Sequence, residues 1–344
     1  MSFDPNATGN LNNGVFSLPY SQEESQLVIL SAPWEMTTSY GEGCALGPST
    51  VFTSSKQLDL SDALYGEFYQ NGIYMVEPDP EHIHNSTVLK RRALKIKERL
   101  EQGESLNPGE QEELKFLNQC SKKTNESIYL QARDVLSKSP YCALVGGDHS
   151  APYGLIKALI EKHGPISILQ FDAHMDLRKA YQGFHYSHAS IMRNVMEELK
   201  PEKLVQVGIR DFCPEERGFG ENHNHIATFY DSQVNRQLAQ GEAWGDICQQ
   251  IVTELGQKVY ISFDVDGLEP TLCPHTGTPV PGGLSFAQME TLLFHLAESG
   301  RNIVGFDLCE VSPGAEPNSM DSWDGNVGAR VLFKLCGSLF HSQK

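Results

Sequence analysis

The stretch "FDAHMDLR", residues 171–178, sets Asp172, His174 and Asp176 in alternation directly behind the apolar run "ISIL" (166–169). An imidazole between two carboxylates is poor core material, because each charge would have to be stripped of water. The same groups are good ligands for a cation, so the rest of the chain must supply further ligands for that reading to hold. Two other clusters offer them, "GGDHS" (146–150) and "DVD" (264–266), and a further acidic piece, "EVSP" (310–313), stands beside them in the reading. In strand geometry residues two apart share a face, so Asp172, His174 and Asp176 are expected to point into one crevice. Asp264 and Asp266 would do the same from another strand end, and His149 adds a second imidazole.

Two histidines and four aspartates bring four negative charges, which cannot sit together unpaired; repulsion would raise their pKa values or open the site. Two divalent cations would neutralise them. Carboxylate and imidazole without thiolate suit a hard or borderline ion such as Mn²⁺ and argue against a Cys-rich zinc site. Six ligands fill two coordination spheres only if some carboxylates bridge and a shared water completes the pair. Two ions roughly 3.5–4 Å apart would bring that water's pKa toward neutrality. A DxD alone is usually a solvated turn; the combination carries the reading.

Apolar runs recur along the chain, each ending in a polar cluster: 27–30, 72–76, 141–145, 166–170, 203–207, 258–262 and 302–306. Helix-like stretches with apolar spacing near 3.6 lie between them, such as "APYGLIKALIEKHG" and "SFAQMETLLFHLAESG". Apolar strands alternating with helices predict a three-layer α/β/α fold on a mostly parallel sheet. In such sheets ligands bind beyond the carboxyl ends of the strands, where these polar clusters fall. No linker, low-complexity tract or repeat is visible, so residues 1–344 read as one domain. The charged segment at about 86–139 reads as a helical hairpin inserted at the rim, a surface excursion unless it is a lid or an oligomer contact.

The net charge of −17, from 27 basic and 44 acidic residues, disfavours nucleic acid and anionic membranes as partners and mildly favours cations. The N-terminus lacks the basic and apolar regions of a signal peptide, and no apolar run approaches the roughly 20 residues that span a bilayer. Eight cysteines are scattered without CxxC pairs, which points to a reducing compartment, the cytoplasm. "GEGCALG" (41–47) lacks dinucleotide-loop spacing. "HNH" (223–225) and His275 read as loop positions, and Cys309 as a buried thiol.

The three metal-binding motifs resemble those of the ureohydrolases: arginase, agmatinase, guanidino-acid hydrolases and formimidoylglutamase. "APWEMTTSYGEGCALGPSTV" (32–51) looks like the agmatinase-type N-terminal segment, and "TGTPVPGGLS" (276–285) resembles the family's loop after the last metal motif. The resemblance runs from about residue 28 to about 330. It implies an arginase-like fold and two Mn²⁺ per subunit. His149, Asp172, Asp176 and Asp264 would hold one ion, and His174, Asp172, Asp264 and Asp266 the other, with Asp172 and Asp264 as bridges. It further implies that Asp176 passes a proton to the leaving amine and that Glu310 pairs with the guanidinium or amidine. His188 in "YSHAS" falls where the family places a proton-shuttling histidine, with His185 the alternative. A homo-oligomer, trimer or hexamer, is implied as well.

The substrate is left open at this level. The 32–51 segment and the acidic surface favour an agmatinase-like enzyme. Arg178 resembles the formimidoylglutamase pattern, where an arginine meets a substrate carboxylate; a guanidino-acid or formimidoylglutamate substrate would follow. The alternative expectation is that Arg178 neutralises a nearby acid. Asp211 in "GIRD" matches one acidic residue that arginases use for the substrate amino group, but Cys213 stands where a second would be, which weakens L-arginine. A metal-binding homologue acting as a regulatory subunit is the reading outside enzymology, and the complete ligand set argues against it. The polar stretch after "EVSP" (314–330) receives no role.

Overall fold

The computed structural model describes residues 3–6, 9–38, 40–78, 80–314 and 322–344. Parts of the N-terminus that was read as lacking a signal peptide, and 315–321 of the polar stretch after "EVSP", lie outside the described residues. Eight strands form one sheet: β1 (Leu27–Ala32), β2 (Ile73–Met75), β3 (Tyr141–Gly146), β4 (Ser167–Phe171), β5 (Lys203–Ile209), β6 (Ile226–Tyr230), β7 (Lys258–Asp264) and β8 (Asn302–Cys309). Their order is β2-β1-β3-β8-β7-β4-β5-β6. Every pairing is parallel, so the expectation of a mostly parallel sheet sharpens to an entirely parallel one among the described residues. Seven strands fall on the apolar runs. β6, "IATFY", was not among them; it is an edge strand with all five residues half-buried, so it lacks the continuous apolar signal of its neighbours.

Ten helices are described: α1 (Gly47–Ser54), α2 (Pro80–Glu101), α3 (Pro108–Lys138), α4 (Tyr153–His163), α5 (Ile191–Asn194), α6 (Pro214–Asn222), α7 (Asp231–Ala239), α8 (Trp244–Thr253), α9 (Phe286–Glu298) and α10 (Trp323–His341). They cover both faces of the sheet, and strand alternation sorts the side chains between them. Leu27 and Ile29 of β1 join one core with α8, α9 and α10 residues, whereas Val28 and Leu30 join another with α3, α4 and α5 residues. The segment read as a rim hairpin is α2 and α3, but only part of it is peripheral. Ile128, Ala132, Val135 and Leu136 of α3 belong to the second core. Ala93 and Ile96 of α2 and Leu117 of α3 form a smaller cluster with Trp34, Met36 and Phe184.

The register decides where the polar clusters go. β3, β8, β7 and β4 are consecutive in the sheet, with Val145 opposite Leu308, Leu308 opposite Phe263, and Phe263 opposite Phe171. The loops that carry His149, Glu310, Asp266 and Asp172 therefore leave four neighbouring strands at the same level. Gly147 lets the β3 loop press against the segment after β1: a Cβ there would sit 2.0 Å from the Trp34 carbonyl oxygen. Hydrogen bonds from Gly147 N to Ala32 O (2.8 Å) and from Asp148 N to Trp34 O (2.7 Å) hold the two together.

Candidate metal centre

The six predicted ligands converge, in two groups that share Asp172. His149 Nδ1 lies 3.0 Å from Asp172 Oδ2, 3.0 Å from Asp176 Oδ2 and 3.5 Å from Asp264 Oδ2. His174 Nδ1 lies 3.1 Å from Asp266 Oδ2 and 3.5 Å from Asp172 Oδ1. Donor atoms of His149, Asp172 and Asp176, and those of Asp172, His174 and Asp266, come within 4.8 Å of one another. Asp264 stands closer to the first group, and its Oδ1 accepts from Asp266 N at 2.9 Å.

The alternation that brings these groups together is not a strand face. β4 stops at Phe171, and Asp176 has φ +54°, a left-handed backbone that no pleat contains. Asp266 likewise sits in a short 3₁₀ turn, Val265–Gly267, rather than in β7. The strands bring the loops to the edge, and the loops aim the side chains.

The chemistry of the donor set fits cations. All six groups but His174 are essentially buried. His149 Nδ1 has no hydrogen-bond partner despite its carboxylate neighbours. Hydrogen bonds explain why it is this nitrogen that faces them. Tyr260 Oη, Ser262 Oγ and Phe263 N all donate to Asp307, at 2.7, 2.8 and 3.2 Å. With its proton spent on Asp307, the Ser262 hydroxyl accepts from His149 Nε2 at 2.9 Å, so that in the neutral ring the Nδ1 lone pair faces the carboxylate oxygens. A lone pair and several anionic oxygens facing one point require a positive charge between them.

The titrations show the same need for positive charge, which protons meet in the ion-free site. Burial opposes charge on His149, but Asp172 and Asp176 outweigh it and hold the imidazole well above its ordinary value. Burial also opposes ionisation of Asp172, yet His149 and His174 hold it below the usual carboxylate range. Burial and then the charge of Asp172 push Asp176 up to about 7. Burial, with Asp266 and Asp172 adding to it, lifts Asp264 well above its ordinary value.

Beside the ligands lies a cavity of about 280 Å³ whose wall includes His174, Asp176, Arg178, Tyr181, His188, Asp211 and Glu216. His188 lines it, while His185 faces outward with Nε2 3.1 Å from Glu198 Oε1. Burial pulls His188 down to about 3, with Lys97 adding to the effect, so the ring is neutral. Arg178 has a partner: its Nε is 3.5 Å from Oε2 of Glu216, a buried α6 residue absent from the sequence reading. Asp211 is 68% exposed at the mouth. Glu310 accepts from His149 N at 2.9 Å through Oε1, and its buried Oε2 has no hydrogen-bond partner. Gly277 gives that oxygen room: a Cβ there would lie 3.1 Å away. His275 is half exposed beside Asp324, and Cys309 is buried with its thiol lifted well above the ordinary value, mainly by burial.

Other supporting groups were also missed. Gln206 Nε2 donates to Gln170 Oε1 (2.7 Å), and Gln170 Nε2 donates to Asp172 Oδ2 (2.7 Å). Gln170, Gln206, Ser262 and Asp307 all stand within the largely apolar strands β4, β5, β7 and β8, and a polar residue there was the signal available.

A model of the arginase family matches residues 25–337. The chain belongs to the arginase family. It is 29% identical over 299 residues to an N(1)-aminopropylagmatine ureohydrolase of Thermus thermophilus, covering 87% of this chain and 86% of that protein. It is 35% identical over 223 residues to the mitochondrial arginase 1 of Arabidopsis thaliana, over 62% of this chain and 59% of that one. The proclavaminate amidino hydrolase structure from Streptomyces clavuligerus superposes with a TM-score of 0.72 at 21% identity, covering 98% and 99% of the two chains; it speaks for the fold. The protein is accordingly a ureohydrolase, a hydrolase of amidino carbon–nitrogen bonds, in a family that depends on a binuclear metal centre.

Two measurements test the site. An aspartate whose folded value lies above its unfolded one is stable with its proton, so Asp176, at about 7 against an ordinary 3.8, costs the ion-free protein stability as pH rises between those values. Ion binding removes that cost. The gap in melting temperature between Mn²⁺-loaded and chelator-stripped protein is expected to widen from about pH 5 to about pH 8; a constant gap contradicts the ligand set. Ser262→Ala is expected to weaken Mn²⁺ binding by about tenfold or more, read by chelator competition. Unchanged affinity would remove Ser262 from the orientation of His149.

Proposed function

We propose that the protein is a binuclear manganese amidinohydrolase that cleaves a linear guanidino compound to urea and an amine, with an agmatine-like substrate whose far end is cationic. The observation that carries this choice is the pairing of Arg178 with Glu216. With that arginine compensated by Glu216 and Asp176 committed to the metal ligand set, Asp211 at the mouth is the remaining carboxylate on the cavity wall, and it suits a cationic tail.

His149, Asp172, Asp176 and Asp264 would hold one ion, and His174, Asp172, Asp264 and Asp266 the other. Two divalent ions held there would supply the acidity that turns a water into a nucleophile near neutral pH. Glu310 offers its unpartnered Oε2 to the flat guanidinium, whose N–H fork suits a carboxylate. Asp176 takes the proton released by the attacking water and delivers it to the departing nitrogen, which would otherwise leave as an amine anion. We assign proton exchange with solvent to His188 rather than His185, because His188 lines the cavity. Asp211, at the mouth, is suited to the distal cation.

A second reading keeps the chemistry and changes the substrate. Arg178 is 37% exposed along the cavity, so a substrate carboxylate that drew it from Glu216 would make the enzyme a guanidino-acid hydrolase or a formimidoylglutamase. The eight unpaired cysteines support a cytoplasmic location, and the family resemblance supports a homotrimer or hexamer. No helix among the described residues is long and apolar enough to cross a membrane.

The deciding experiment supplies Mn²⁺-loaded protein and its Arg178→Ala variant with agmatine, L-arginine, 4-guanidinobutyrate and formimidoylglutamate, and assays urea and formamide. Urea from agmatine, with kcat/KM within about threefold in the variant, is expected. Formamide as product, or a rise in KM confined to carboxylate substrates, would move the protein to the second reading.

A further inference from the structure

We propose that Lys97 of α2 is a positioning residue for the reaction, holding the Thr37–Thr38 backbone where Thr37 fixes the His188 ring at the cavity wall. α2 buries an unusual face. Ser86, Lys90, Ala93 and Lys97 follow helical spacing, and all four are buried, Lys97 with 2% of its surface exposed. Buried lysines cost stability unless a specific partner compensates them. Lys90 pairs with the Glu35 carboxylate, and Ser86 Oγ accepts from Glu35 N at 2.7 Å. Lys97 instead donates from Nζ to two successive backbone carbonyls, Thr37 O at 3.0 Å and Thr38 O. A cation that grips consecutive carbonyls sets the direction of the backbone between them.

Thr37 is held on its other sides by groups of the site. Its N–H donates to Asp148 Oδ2 at 3.3 Å, next to the ligand His149. Its hydroxyl oxygen accepts from His188 N at 3.1 Å and lies 3.2 Å from His188 Nδ1. Lys97, Thr37 and His188 therefore form a continuous chain of hydrogen bonds from a helix outside the sheet to the cavity. The segment that the sequence reading left as a surface excursion thereby acquires a place in the catalytic apparatus. This inference rests on His188 exchanging protons in the reaction.

The test uses full-length Mn²⁺-loaded protein with agmatine, or whichever compound of the panel it hydrolyses. Lys97→Met and Thr37→Val should each lower kcat about tenfold or more, a loss of the size that misplaced catalytic groups produce, with KM and Mn²⁺ content within about twofold. Thr37→Ser, which restores the hydroxyl, should recover most of kcat, and Lys95→Met on the exposed side of α2 should behave as wild type. The double variant of Lys97→Met and Thr37→Val should be no slower than Thr37→Val alone, because both break one chain. Wild-type kcat in folded Lys97→Met, or additive losses in the double variant, overturns the proposal. Should Lys97→Met not fold, Lys97→Gln takes its place under the same criteria. His188→Ala separates the two failures: full activity there sinks the shuttle assignment, whereas impaired His188→Ala beside intact Thr37→Val sinks only the present inference.

Discussion

The structure turns on one constraint: Asp172, Asp176, Asp264, Asp266 and Glu310 are taken out of water at one end of a parallel sheet. Anions so placed must find donors or cations, and the neighbouring strands supply the donors first. The ladder from Gln206 through Gln170 reaches Asp172, and Ala173 N serves Asp266 at 2.9 Å. Asp266 N serves Asp264, and His149 N serves Glu310. These donors satisfy individual oxygens but remove no charge. The oxygens around His149 Nδ1 therefore leave a place suited to a cation, which is what makes these residues a candidate metal centre.

How much of this was legible in the sequence depends on what makes a residue conspicuous. Asp172, His174, Asp176, Asp264 and Asp266 stand out because charge directly after an apolar run conflicts with its surroundings. Gln170 and Asp307 carry the same conflict inside β4 and β8, but one polar residue in a strand reads as an irregularity until its partners are known. Strand order could not be read at all: β3 and β8, about 160 residues apart, become neighbours only through the topology. The pairing of Arg178 with Glu216 belongs to the same class. Arg178 lies on the loop after β4 and Glu216 in the first turn of α6, and only the α6 capping arrangement, in which Glu216 accepts from Cys213 N at 3.0 Å, brings that carboxylate to the cavity. The six candidate ligands do converge, but not by the strand-face route, since the turn at Asp176 and the 3₁₀ turn at Asp266 orient those two.

Support from α2 shows the same logic at longer range. The candidate ligands on strand-end loops are fixed by the sheet, but His188 opens a short 3₁₀ turn between β4 and α5 and has no strand behind it. Its place comes from Thr37, and the position of Thr37 comes from α2 on one side and Asp148 on the other. Glu35, whose carboxylate accepts from Gly43 N at 3.1 Å and Ala45 N at 3.0 Å as well as pairing with Lys90, carries that support along the loop toward Tyr40 at the cavity. Helices outside the sheet are thus part of what defines the cavity wall.

Backbone strain gives a final measure of how the site is built. Asp176 at φ +54° and Glu310 at φ +64° are both left-handed, a conformation that costs an L-residue roughly 1–2 kcal/mol. Both are the carboxylates assigned to act on the substrate, and both are clamped. Arg193 N donates to the Asp176 carbonyl at 3.1 Å, while Glu310 donates its N–H to Gly147 O at 2.8 Å and accepts at its own carbonyl from Thr276 Oγ1 at 2.9 Å. Strain persists only where surrounding contacts over-determine the backbone. A glycine would relieve it at either position but would remove the carboxylate, so the conformational cost is the consequence of needing an acid where the chain must turn left-handed.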